Sequence, residues 1–247
     1  MRMKSTGQRQ LMYTFHSRIR YSEVGADSHL TLKALLDYFQ DCSTFQSEDL
    51  QIGLEYMAEN HVVWVLSSWQ IDVKRYPKLG EQVEIGTQPY DIKGFLGFRN
   101  FMMWDSEGQI VACANSIWSL LDTDTGRPVR VMDFMKQQYA IGPKLEMEYL
   151  PRKISLPENG SEKEPITIVR HHLDTNQHVN NGQYVMMAME YLPADRAIRR
   201  MRAEYMKSAL LGDQMIPVVT QEKDTDTIEL RSSDGKPFAV VSFELQS

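Results

Sequence analysis

Chemistry in this chain is concentrated between residues 171 and 181: His171-His172-Leu173-Asp174-Thr175-Asn176-Gln177-His178-Val179-Asn180-Asn181. Three histidines, three asparagines and one aspartate leave only Leu173 and Val179 to pack into a core. Asp174 offers a carboxylate that can deprotonate a water or attack a carbonyl itself. An aspartate ahead of a helix is also a common N-cap or turn former, and both readings stand at this point. Asn176 and His178 follow at alternate positions and would share one side of an extended loop. An imidazole can pass a proton near neutral pH. The plainer readings are turn chemistry for Asn176 and a hydrogen-bonded core histidine for His178. Asn180 and Asn181 suit a helix cap. The grouping of His171, His172, Asp174 and His178 does not match a two-histidine helical ligand set, and no cysteine pair accompanies it. Neither a metal nor another cofactor is expected. No Gly-x-Ser-x-Gly elbow occurs. Cys42 and Cys113 sit in apolar patterns with no base nearby in sequence. Carboxylate chemistry is therefore the expectation.

The flanks say what positions the cluster. The β-branched run Ile166-Thr167-Ile168-Val169 precedes it, and a largely apolar segment from Tyr184 to Leu192 follows. A strand hands over to a helix here. Unpaired N–H groups at a helix start can receive a developing negative charge, so the backbone near Val179 to Gly182 is the expected oxyanion site. The same plan occurs earlier in the chain. Ile19-Arg20-Tyr21 leads through Gly25-Ala26-Asp27-Ser28-His29-Leu30 into a helical stretch from Thr31 to about Leu50. Its Leu32, Leu35, Leu36, Phe39, Cys42 and Phe45 mark a buried stripe. Downstream, residues 69–80 parallel 201–212, and residues 104–108 parallel 231–235. The first pair reads as a strand entering a glycine turn, the second as a hairpin turn ending in glycine. Each half is thus a strand, a long helix and several antiparallel strands, an α+β plan with one sheet face covered by one helix. The expected domains are 1–135 and 165–247, joined by a proline-rich linker over 136–164.

A strand–helix–sheet unit with Asp-x-x-x-His-x-Asn at the helix entry resembles a hotdog fold. Two such units in tandem, the second carrying Asp174-Thr175-Asn176-Gln177-His178-Val179-Asn180-Asn181, resemble the acyl-acyl carrier protein thioesterases of bacteria and plant plastids. Trp118 to Arg130, with its Thr-Gly-Arg-Pro stretch, and Leu79-Gly80-Glu81 match as well. The likeness runs from about Tyr13 to Leu245. It implies a tandem double hotdog that hydrolyses fatty acyl-acyl carrier protein by a carboxylate-activated water, with the acidic carrier protein as partner. It also implies that Asn176 and His178 hold the water and thioester and that His178 passes a proton. Glu204 stands in an apolar-leaning strand, where a carboxylate is costly unless it is paired or functional. The resemblance places it in the catalytic set with Asp174. Plant members follow that glutamate with cysteine; Tyr205 stands here, which excludes an essential thiol. The first half has Asp27, His29 and Asp72 at the corresponding places but lacks the paired asparagines. It is expected to close the acyl tunnel.

The formal charge of −6 argues against a general nucleic-acid role. No run approaches the ~18 apolar residues of a membrane span, and Met1 to Gln10 lack the apolar core of a signal peptide. A cytoplasmic protein with reduced cysteines is the simplest expectation. Arg196, Arg199, Arg200 and Arg202 form a basic group, either a solvated face or a docking patch for the acidic carrier. An acyl-CoA thioesterase on the same fold and a non-catalytic acyl-binding protein are the rival readings. Monomer and homodimer are both compatible with two hotdogs in one chain.

Overall fold

The computed structural model describes residues 12–174, 176–193 and 197–246. Met1 to Gln10 and Arg196, on which expectations fell, lie outside the described residues. The chain divides into two compact units. One comprises Met1–Leu66 with Val73–Glu148, the other Ser67–Asp72 with Tyr149–Ser247.

The first unit contains β1 (Tyr13–Arg18), α1 (Leu32–Asp49), α2 (Leu54–Glu59), β2 (Val62–Val73), β3 (Gln82–Lys93), β4 (Leu96–Asp105), β5 (Ile110–Asp122) and α3 (Asp133–Gln138). Its strands are ordered β1-β3-β4-β5-β2, and the first three pairings are antiparallel. Helix α1 starts at Thr31, whose hydroxyl accepts the Ala34 N–H at 3.2 Å, and packs on β1 and β3. Leu32, Leu35, Leu36, Phe39 and Cys42 are buried as the spacing predicts. Phe45 is not: it is 44% exposed, edge-on to Phe15, while Ser43 and Gln46 are buried in its place. The reason is Arg99 on β4, a buried guanidinium that donates to Gln46 and Thr87. A buried cation requires acceptors, so the helix presents an amide to it instead of a ring.

The second unit contains residues 67–72 of β2, then β6 (Ser161–Glu162), β7 (Ile166–Thr167), α4 (Asn181–Met189), β8 (Ile198–Tyr205), β9 (Gln214–Gln221), β10 (Thr225–Arg231) and β11 (Pro237–Leu245). The strand order is β2-β8-β11-β10-β9-β6, with β7 also on β9. Helix α4 packs on β10 and β11. Residues 136–164 carry buried anchors in each unit. Tyr139 and Leu145 sit in apolar clusters of the first. Leu150 and Ile154 donate their N–H groups to Gln70 and Glu204 in the second.

The repeat holds at the level of single backbone bonds. Gly80 N–H donates to Ile19 O and Gly212 N–H to Ile168 O, both at 2.9 Å. Thr31 donates to Glu23 O, and Asn180 to His172 O, again at 2.9 Å. The hairpin turns agree too: Gly108 bonds Asp105 O and Gly235 bonds Ser232 O, each glycine at positive φ. These bonds pair Ile19 with Ile168.

Candidate active site

Leu173, Asp174 and residues 176–180 are drawn into a tight loop by main-chain bonds. Asp174 N–H donates to His178 O at 2.8 Å, and Gln177 N–H donates to Asp174 O at 3.1 Å. Gln177 takes a positive φ of 61° at the bend. The Asp174 side chain braces the turn from inside. Its Oδ1 accepts from Asn176 N–H at 2.8 Å and from His178 N–H at 3.3 Å. Both bonds fall on one oxygen, which leaves Oδ2 for another task. Asp174 is half-buried; Asn176 and His178 are exposed. The loop therefore brings Asp174, Asn176 and His178 together.

Asn180 caps α4, its side chain accepting Gly182 N–H at 2.9 Å. The expected oxyanion donors are mostly engaged. Val179 N–H goes to Ala209 O, Asn180 to His172 O, Gly182 to the Asn180 side chain and Gln183 to Asn180 O. Within 179–183, the Asn181 N–H is the one outside these bonds.

Glu204 makes its bonds with the segment before β6. The next residue, Tyr205, sends its hydroxyl to Asn181 O at 3.0 Å and lies edge-on to Tyr184 of α4. Neighbouring strand residues point to opposite faces, so Glu204 faces away from the helix. There its carboxylate accepts Ile154 N–H at 3.0 Å and lies 3.8 Å from Arg152. The sequence signal, a carboxylate in an apolar strand, was real; its partner is the segment before β6.

The arginine group is also spoken for. Arg200 is paired with Asp72 and Glu244, Arg199 with Glu244, and Arg202 donates to Pro151 O and Lys153 O. These bonds tie Arg199 and Arg200 to neighbouring strands and Arg202 to the segment before β6. Cys42 is buried and its thiol is pushed up to about 12 by burial, which leaves it without nucleophilic character at neutral pH. Among the described residues, no group of three His, Cys, Asp or Glu side chains is placed to hold a metal ion. No described helix is long and apolar enough to cross a membrane.

In the first unit the same backbone loop carries other side chains. Gly25 N–H bonds His29 O, and Ser28, also at φ 61°, bonds Gly25 O. Gly25 thus stands where Asp174 stands, Asp27 where Asn176 stands, and His29 where His178 stands. The position of the Asp174 carboxylate carries no side chain in this copy.

Residues 10–139 match the sequence pattern of the acyl-ACP thioesterase N-terminal domain, and residues 156–239 match that of the acyl-ACP thioesterase C-terminal domain. The chain belongs to the acyl-ACP thioesterase family. Among members of that family, a chloroplastic acyl-acyl-carrier-protein hydrolase of Cuphea viscosissima is 26% identical over 190 residues, covering 72% of this chain and 46% of its own length. A chloroplastic oleoyl-acyl carrier protein thioesterase of Coriandrum sativum is 24% identical, covering 92% of this chain and 67% of its own. The chain spans about half the length of the Cuphea relatives it matches. Two solved structures share its fold. An acyl-ACP thioesterase from Bacteroides thetaiotaomicron superposes with a TM-score of 0.86 at 19% identity, over 99% of this chain and 100% of that one. A 12:0-ACP thioesterase from Umbellularia californica gives 0.85 at 21% identity, over 96% and 97%. The α+β, tandem hotdog architecture of the acyl-ACP thioesterase family is therefore that of this chain.

Proposed function

We propose that this chain hydrolyses the thioester of fatty acyl groups carried on acyl carrier protein and releases the free fatty acid. The observation that carries the reading is the Asp174 carboxylate, with Oδ1 fixed by two N–H groups and Oδ2 outside them, in the signature loop of a thioesterase family. Asp174 Oδ2 takes a proton from water as the water oxygen attacks the thioester carbon. The carbonyl oxygen gains charge, and the Asn181 N–H at the first turn of α4 is the donor left to receive it. The carbon–sulfur bond then breaks, and the thiolate, a good leaving group, collects a proton through His178. Asn176, beside them on the loop, orients water and thioester. Glu204, on the far face of its strand, is left outside the reacting set and acts as a brace for Ile154.

The test is steady-state hydrolysis of acyl-acyl carrier protein. Asp174→Asn and His178→Ala should each lower turnover by about a hundredfold or more while the protein stays folded. Full activity in Asp174→Asn would sink the assignment. The acyl-CoA reading predicts instead that CoA thioesters turn over better than carrier-bound ones.

A further inference from the structure

The two copies of the strand-to-helix loop share a backbone but differ at one coupled pair of positions. In the first unit Leu30 N–H donates to Pro77 O at 2.7 Å. Pro77 has no N–H of its own, and the fourth residue of α1 is the buried Leu35. In the second unit the matching bond runs from Val179 N–H to Ala209 O at 3.0 Å. Ala209 does have an N–H, and the residue is wholly buried. The fourth residue of α4 is Tyr184, whose hydroxyl oxygen accepts that N–H at 2.8 Å. A proline at that position asks for no polar partner. An alanine there does, because a buried N–H left unpaired is destabilising. The polar pair occurs in the half that keeps the Asp-Asn-His loop.

What the phenol adds lies on its other side. Accepting from Ala209 leaves its own proton free to donate. Burial pushes the phenol up to about 12, and the carboxylates of Asp213 and Asp174 add to that, so both stand within electrostatic reach of the hydroxyl. Tyr205 lies edge-on to the ring at 5.7 Å, with its own hydroxyl anchored on Asn181 O. The ring is held between the strand exit and the helix start. From its oxygen the bonds run to Ala209, then to Val179, the residue next to His178.

We propose that Tyr184 is a positioning residue for the reacting loop, fixing Asp174 and His178 through the Tyr184–Ala209–Val179 hydrogen-bond chain. This rests on the reading of that loop as the site of hydrolysis. Tyr184→Phe keeps the ring and removes the hydroxyl, stranding the Ala209 N–H. Stability would fall for that reason alone, so a second variant separates the roles. Tyr184→Phe combined with Ala209→Pro removes the stranded donor as well, and Tyr76-Pro77 on the same backbone in the first unit makes proline admissible there. The expected result is that Tyr184→Phe lowers both Tm and kcat, kcat by about tenfold with KM within about twofold. The double variant should recover Tm while kcat stays low. Wild-type kcat in the double variant, or a loss confined to KM, would overturn the proposal. Amide exchange over 174–180 gives an arm independent of turnover. Faster exchange in the double variant than in wild type supports the clamp, and unchanged exchange overturns it, whatever the substrate proves to be.

Discussion

In the proposed reaction Asp174 divides two tasks between two oxygens, and substitutions can separate them. Asp174→Asn keeps an oxygen to accept the Asn176 and His178 N–H groups, so the turn should survive while proton acceptance is lost. Asp174→Ala removes both. It should show the same loss of turnover plus about 1 kcal/mol of stability, read as a lower denaturation midpoint than in the asparagine variant. Equal midpoints would mean that the turn bonds contribute nothing. Glu204 should behave in the opposite way. Glu204→Gln weakens its grip on Ile154 N–H and Arg152 and should cost about 1–3 kcal/mol with kcat near wild type. A large fall in kcat without a stability change would return Glu204 to the reacting set. Its position was legible as an anomaly because a strand carboxylate needs a partner. Its direction was not, because a strand alternates faces and only the Tyr205 contact shows which face is which.

At the scale of elements, the two loops and helices were legible from repeated spacing, and the matched main-chain bonds follow that reading closely. Three details were hidden for physical reasons. Phe45 continues the apolar rhythm of α1, yet a guanidinium 53 residues further on claims the buried position for Gln46. The arginines of β8 read as a patch in sequence, yet the carboxylates that pair with Arg199 and Arg200 sit on β2 and β11, far away in the chain. The paired change from Pro77 and Leu35 to Ala209 and Tyr184 is visible only once the backbone bonds align the copies. Arg200→Met should therefore destabilise the fold by about 1–3 kcal/mol, because it strands Asp72 while Glu244 keeps Arg199, without raising KM for carrier-bound substrate. A raised KM at unchanged stability would restore the docking role.

At the scale of the whole molecule, acid should act through paired carboxylates. Glu81 is held below the usual carboxylate range by its bond to Arg75, with Lys78 N–H assisting. A lowered folded-state value means that this stabilisation is complete above the unfolded value of ~4.3 and is lost as pH falls through the folded one. Arg75→Gln should flatten the decline in Tm on acidification below about pH 4, and an unchanged slope would remove the pair from the account.

Strand β2 belongs to both units, its residues 67–72 lying in the second although the rest of that unit begins at Tyr149. No single scission of the chain can therefore release a complete C-terminal half. A fragment starting at Tyr149 would expose the edge of β8 that normally pairs with residues 68–72, and a bare edge recruits other strands. Such a fragment should self-associate, and a short peptide carrying Ser67–Asp72 should suppress that association by restoring the missing pairing. The second unit's sheet thus depends on six residues supplied from far upstream, and a fragment from Tyr149 onward is not a transplantable module.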